Sequence, residues 1–387
     1  MGMQLKPKIS IMAYCIFMYT YVLLAESYFF FAEEAELHHA SLLQHRISMS
    51  PSIPVDFGTS VTTVAPAANS AWRDTNVMLT AVEAVRDYPL LPPLLYLKTH
   101  KTGSSTVRNL IYRLGDRRNM SFMMPQPKSN SYILGYPGAF PGEEAALRYG
   151  PPRHQFDIIC QHAVLNSSLM FAYLRPNPYF FTSVREPTAQ MISRYNYFES
   201  WQSVTWDEYL DQLESGDSRE LRNNQAFDLG WYDFVGSSTD FDHNQTKISE
   251  WLNTLDLYLN STVILEYFNE GLALFRQKTH IDIEELTYMV LNGFGGQTIY
   301  PTKDQRQRLD SLGTVDRALY AHLNQSFWRE WFSRNVSQLE ADVATIKRLN
   351  DELRHACDEG DLERCPRTIT DDNEGWDYRL RAKESAI

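Results

Sequence analysis

Hydrophobic positions along the 387-residue chain alternate between short unbroken runs and stretches of helical period. Residues 94–97 (LLYL), 156–161 (FDIICQ), 179–184 (YFFTSV) and 262–266 (TVILE) are apolar runs of buried-strand length. After the first run Val107, Leu110, Ile111 and Leu114 recur on one helix face, which leaves Arg108 and Arg113 on the exposed side with Arg117 and Arg118 just beyond. After the third run Pro187 stops the strand and suits a helix start, so a helix is predicted over 188–199. Strands alternating with helices predict an α/β fold with a parallel sheet. Ligands of such sheets sit beyond the carboxyl ends of the strands, and Lys101, His162 and Arg185 all fall just after strand ends. The segment 118–152 is rich in Gly, Pro, Asn and Tyr and reads as long loops, part of which shape a ligand site.

Towards the N-terminus the pattern changes. Residues 9–25 carry no charge, and after Glu26 an aromatic stretch continues to Ala32. Lys6 and Lys8 precede it and Glu33, Glu34 and Glu36 come after it, so 9–32 is expected to be an uncleaved signal-anchor helix with 1–8 as a cytoplasmic tail. The competing reading is a cleaved signal peptide, whose apolar core is about 7–15 residues and ends at an A-x-A-like site that is not evident here. Both place the remainder of the chain in the secretory lumen. Residues 33–89 are rich in Ser, Thr, Pro and Ala without sustained apolar period and read as a stem, with a short helix at 72–85. The globular domain is expected over 90–367, with a charged, flexible tail at 368–387.

Composition narrows the function classes. An apolar content of 43% with 13% aromatic residues is that of a packed protein. The net charge of −12 argues against nucleic acid as a partner, because binding a phosphate backbone needs a basic face. The four cysteines, Cys15, Cys160, Cys357 and Cys365, lack C-x-x-C spacing, and no metal is expected. Cys357 and Cys365 are close enough to close a small loop by a disulfide or to remain two thiols. Six N-x-[ST] acceptors, at Asn119, Asn166, Asn244, Asn260, Asn324 and Asn335, all lie beyond the expected anchor and agree with a glycosylated lumenal domain.

The candidate chemistry begins at 98–106, KTHKTGSST, between the first strand and its helix. A loop at a helix start presents backbone N–H groups and the positive dipole end, which favour an anion. Lys101 adds a point charge, and Thr102, Ser104, Ser105 and Thr106 add hydroxyl donors around Gly103. A nucleotide-triphosphatase P-loop needs G-x-x-x-x-G-K-[ST]; here the lysine precedes the only glycine, so a nucleotide kinase fits poorly. A second anion anchor is SVREP at 183–187 with Ser193 two helical turns on, where Arg185 offers a fork of donors and Ser193 a hydroxyl.

Together these two stretches resemble the paired motifs that sulfotransferases use to bind 3′-phosphoadenosine-5′-phosphosulfate (PAPS). With DIICQH at 157–162, VILEYFNEGLALF at 263–275 and DRALYAHLNQSFW at 316–328, the chain resembles the galactose-3-O-sulfotransferase family over most of 94–331. The sequence departs from that family after His162, where Ala163, Val164, Leu165 and Asn166 replace a Met-Arg-Phe-like run, which bears on sugar specificity. The resemblance implies a P-loop-like sulfotransferase fold with a central parallel sheet flanked by helices. It also implies a single-pass type II Golgi membrane enzyme that moves a sulfuryl group from PAPS to a galactose hydroxyl, the 3-OH, of a glycolipid or glycan such as galactosylceramide. A homodimer is a further possibility. Lys101 would stabilise the leaving bisphosphate, 102–106 would hold the 5′-phosphate, and Arg185 with Ser193 the 3′-phosphate. His162 is the expected general base and His100 its rival. A catalytically inactive glycan-binding protein on the same fold is the other class, against which the intact Lys101, Arg185 and Ser193 weigh.

Overall fold

The computed structural model describes residues 90–126, 133–141, 146–149, 155–215, 219–291, 293, 295–370, 375–376 and 379–380. The expected anchor, stem and leading helix at 72–85 lie outside the described residues. Among the described residues no helix is long and apolar enough to cross a membrane.

Six strands form one sheet: β1 Leu94–Leu97, β2 Phe122–Pro125, β3 Ala146–Tyr149, β4 Ile158–Ile159, β5 Tyr179–Val184 and β6 Ser261–Ile264. Their spatial order is β3-β2-β4-β1-β5-β6, with β2, β4, β1, β5 and β6 mutually parallel and β3 an antiparallel edge. β1 lies at the centre, with Leu94 opposite both Ile158 and Tyr179, and all four of its residues are buried. The helices of the domain include α1 Ser104–Arg117, α2 Pro187–Arg194, α3 Asn224–Asp228, α4 Phe268–Thr279, α5 Thr314–Phe332 and α6 Val336–Asp358. This is the parallel α/β architecture that the alternation of apolar runs predicts.

Three local expectations are corrected and one is refined. Within the run at 156–161 only Ile158–Ile159 joins the sheet: the Asp157 carboxylate accepts from the Ser121 N–H and hydroxyl, and Phe156 makes an isolated parallel bridge with Leu174. The segment 118–152 contains β2 and β3; β2 is a short apolar Phe-Met-Met-Pro run set among turn-forming residues. The helix after Pro187 reaches Glu199 as expected but changes type, α-helical over Pro187–Arg194 and π-helical over Tyr195–Glu199. Finally, Arg108 and Arg113 are buried, because α1 is covered on both faces. Arg108 Nη1 donates to Gln161 Oε1 at 2.8 Å, Arg113 Nη2 donates to the Thr287 carbonyl, and Asn109 bonds the Thr368 carbonyl at 3.0 Å. Trp376 stacks on Tyr112 with ring centroids 5.4 Å apart, so the tail is packed on the domain at that residue.

Candidate active site

The chain leaves β1 at Leu97 and turns through two left-handed residues, Lys101 (φ 59°) and Gly103 (φ 73°), before α1 begins at Ser104. A lysine in that region is strained and is held only where its surroundings over-determine it. Those surroundings are a chain of hydroxyls under the loop. Tyr96 Oη lies 2.7 Å from Ser183 Oγ, which lies 2.8 Å from Thr102 Oγ1, which lies 2.7 Å from Thr99 Oγ1. Thr99 also donates to the Ser183 carbonyl. The loop is therefore pinned to β5, and its other side opens upward at the N-terminus of α1. A Cβ on Gly103 would stand 2.8 Å from Leu265 Cδ1.

Above the loop is a cavity of about 690 Å³. Its walls carry Lys101, Gly103, Ser104, Ser105 and Thr106 from the loop and helix start, His162 from the end of β4, and Arg185 and Ser193 from β5 and α2. Lys98 and His100 also line it. The fold thus gathers at one rim every anion-binding residue read from the sequence except the Thr102 hydroxyl, which is buried beneath the loop. Thr106 turns its hydroxyl to the N–H of Leu291 at 3.1 Å, joining the helix start to the segment that closes the cavity's far wall.

Positive charge dominates this cavity although the chain as a whole is acidic. Lys101 Nζ stands 3.4 Å from the centroid of the Tyr197 ring, a cation–π contact. Burial, and then Arg185 and Arg194, lower its pKa to about 8. Burial also lowers the Arg185 guanidinium, offset in part by Glu266 and Glu186. That guanidinium makes a long 3.4 Å bond to the Lys101 carbonyl, while its backbone is gripped at both ends by Gln225: Arg185 N–H donates to Oε1 at 2.8 Å and Nε2 donates to the Arg185 carbonyl at 2.9 Å. Lys98 Nζ lies 3.0 Å from Ser104 Oγ and 2.8 Å from His162 Nε2. Burial pulls both Lys98 and His162 well below their usual values, and each also feels the Arg108 charge. Lys101 and Arg185, with Lys98 beside them, line one cavity, which suits an anionic ligand.

The two histidines differ. His162 has Nε2 taken by Lys98 and Nδ1 buried without a partner among the described residues. His100 lies parallel to it at 4.1 Å between ring centroids. Its Nδ1 and its backbone N–H each lie 2.9 Å from Asp228 Oδ2. Asp228 closes α3, a buried polar segment that sequence reasoning passed over. From it Asn224 Oδ1 accepts from Gln190, whose Nε2 also donates to the His100 carbonyl, Gln225 holds Arg185, and Asp228 holds His100. Asp316 of α5 anchors α3 by accepting from Gln225 N–H at 3.2 Å and Ala226 N–H at 2.7 Å. The signal, Asn-Asn-Gln with Asp three residues on, looks the same as a solvated turn; only burial distinguishes it.

Several neighbouring polar and aromatic residues serve the fold. Tyr195 donates to the Val204 carbonyl and stacks on Trp206 at 3.8 Å, in a core cluster away from the cavity. Trp231 and Tyr232 bond the buried Asp242 carboxylate. Glu266 accepts from the Glu186 N–H at 2.9 Å and from Tyr320. Cys357 and Cys365 form a disulfide that ties the end of α6 to the segment after it. Of the six sequons, Asn166, Asn244 and Asn335 cap helices through Oδ1, Asn119 and Asn260 are exposed, and Asn324 lies inside α5 with its Oδ1 buried.

The family model described as Galactose-3-O-sulfotransferase matches residues 52–379, which includes the sheet, the loop and α3. The chain belongs to the galactose-3-O-sulfotransferase family. Curated relatives agree. The chain is 28% identical to galactosylceramide sulfotransferase of Mus musculus over 283 residues, covering 69% of this chain and 64% of the relative. It is 27% identical to the Bos taurus protein of that name, again over 64% of its length, so the chain spans just under two thirds of these two relatives. It is 24% identical to galactose-3-O-sulfotransferase 2 of Sus scrofa over 333 residues, covering 84% of this chain and 81% of the relative. Family membership puts the α/β sheet, its central strand and the cavity at its rim in a sulfotransferase context.

Proposed function

We propose that the protein is a PAPS-dependent carbohydrate sulfotransferase that acts on a galactose hydroxyl, the 3-OH, of a glycolipid or glycan such as galactosylceramide. It works as a single-pass type II Golgi membrane protein with its domain in the lumen. The observation that carries this reading is the cavity lined together by Lys101, the 103–106 helix start, Arg185 and Ser193. The relatives' printed names supply galactose and galactosylceramide as the acceptor class. The expected anchor, stem and sequons support the lumenal location.

PAPS fits the donor set: a polyanion meets Lys101 and Arg185, and the helix start at 103–106 lines the same cavity. When bound it supplies the sulfuryl group, which passes to the acceptor oxygen as its bond to the 5′-phosphate breaks. Arg185 and Ser193 hold the 3′-phosphate, which separates this donor from ATP. The backbone N–H groups of 103–105 and the Ser105 hydroxyl hold the 5′-phosphate, while the Ser104 hydroxyl is spent on the Thr99 carbonyl. Lys101 leaves the Tyr197 ring and meets the charge that develops on the bridging oxygen, and Lys98 supports it from below. The acceptor proton passes to a histidine. His100 is the better base, because its Nδ1 is held by a carboxylate and its ring lines the cavity. His162 holds Lys98 in place.

The test is transfer by the whole protein from radiolabelled PAPS to galactosylceramide, to lactose-type glycans and to a galactose-free control, beside Lys101→Ala. Label on galactosides that falls about 10²–10³-fold with Lys101→Ala is the expected result. Failure to bind adenosine 3′,5′-bisphosphate would overturn the reading.

A further inference from the structure

We propose that Asp228 is a positioning residue for the transfer: its carboxylate fixes His100 as the Nδ1–H tautomer and so leaves the Nε2 lone pair to take the acceptor's proton. This role rests on the sulfotransferase reading above, in which His100 is the base because a carboxylate holds its Nδ1.

The geometry is specific. Asp228 Oδ2 lies 2.9 Å from the His100 backbone N–H and 2.9 Å from His100 Nδ1. A backbone N–H can only donate and a carboxylate accepts, so one oxygen grips the main chain and the ring of the same residue. That double grip fixes ring rotation as well as tautomer. It needs a fixed carboxylate, and Asp228 is fully buried with its own carbonyl accepting from Leu165 N–H at 2.9 Å. Its Oδ1 is buried, and beside the two bonds to His100 the carboxylate is faced by the Tyr136 hydroxyl. The His100 side chain, by contrast, keeps 13% of its surface exposed and lines the cavity.

The surroundings distinguish His100 from its neighbour. His162 from the end of β4 stacks on the His100 ring at 4.1 Å, and Tyr136 lies beside both rings, its centroid 4.7 Å from His100 and 6.2 Å from His162. Lys98 sits behind His162, Lys101 is next in the chain, and the Arg108 charge comes from α1. The basic groups around the pair of rings are Lys98, Lys101 and Arg108, and Asp228 is the carboxylate bonded to His100. A neutral imidazole carries its proton on one nitrogen only, and a carboxylate acceptor at Nδ1 selects Nδ1–H and leaves Nε2 bare; Asp228 is that acceptor. Burial and the Asp228 charge push the Tyr136 hydroxyl far above its usual range, which keeps that phenol protonated beside the dyad.

The experiment combines a tautomer measurement with kinetics on the whole protein. In ¹⁵N-histidine NMR near neutral pH, His100 is expected to carry its proton on Nδ1. Asp228→Asn presents an amide donor to Nδ1 and should move the proton to Nε2, lowering kcat on the order of 10²–10⁴-fold while KM for PAPS and binding of adenosine 3′,5′-bisphosphate stay within about threefold. In a His100→Ala background the same substitution should cost nothing further, because both changes remove one unit. An Nε2–H tautomer in the unaltered protein would overturn the proposal without any variant having to fold. So would an equal loss from Asp228→Asn with and without His100. If the unaltered protein transfers nothing from PAPS, the sulfotransferase reading fails, and the tautomer read on the same sample still decides whether Asp228 fixes the ring.

Discussion

Lys101 combines three properties that pull against one another: a left-handed backbone, a half-buried ammonium and two neighbouring guanidinium groups. Its pKa is lowered to about 8, so the free protein loses this cation as pH rises through about 8. If Lys101 must be charged to meet the donor, kcat/KM for PAPS falls above about pH 8, and Lys101→Arg flattens that limb at a lower maximum rate; a pH profile of both proteins checks this. A bound polyanion favours the ammonium, so the limb in kcat lies at higher pH than the limb in kcat/KM. At Gly103 the constraint is steric. A methyl group there meets Leu265 at 2.8 Å on a backbone with φ 73°, so Gly103→Ala should cost about 1–2 kcal/mol, read as a fall in Tm of a few degrees.

Among the elements, α3 holds the site together more than its five residues suggest. Gln225 fixes the Arg185 main chain and Asp228 fixes His100, and the whole turn hangs on the Asp316 carboxylate of α5. Asp316→Ala leaves two buried N–H groups without an acceptor and should destabilise the fold by about 2–4 kcal/mol in denaturant titration. Burial raises the Asp316 pKa to about 7 against the backbone bonds that favour its ionised form. Since the folded value lies above the unfolded one, this group's contribution to stability is full below about pH 4 and is lost as pH rises through about 7. Asp316→Asn should remove that part of the pH dependence of Tm. The disulfide acts separately: it closes a loop with a sequence separation of 8, so Cys365→Ala should cost about 2.5 kcal/mol by loop entropy.

At the scale of the molecule, a chain of net charge −12 concentrates cations at one rim of a parallel sheet. Coupling of binding to that rim predicts that affinity for adenosine 3′,5′-bisphosphate falls with added salt, and that Arg185→Ala weakens the bisphosphate more than the 5′-monophosphate; calorimetry at two ionic strengths checks both. The sequons are also unequal. In a secretory host, peptide mapping should find glycan at exposed sites such as Asn119, Asn244 and Asn335 and none at Asn324, whose side chain is embedded in α5.

The sequence by itself determined the central strands β1 and β5, the loop between β1 and α1, and both anion anchors. These are local: apolar runs of strand length, a glycine and a lysine at a helix start, and a proline after an arginine each act within a few residues. Only the tertiary structure decided the rest. Helix periodicity put Arg108 and Arg113 in solvent, yet α1 is covered on both faces by segments distant in sequence, Thr287 and Thr368 among them. Thr102 reads as a phosphate donor by composition and faces Ser183 by packing. His100 and His162 differ in their partners through Asp228, 128 residues along the chain from His100. Nothing in the spacing of those residues marks the contact, because hydrogen bonds between distant segments are set by how helices and strands pack and not by any period along the chain.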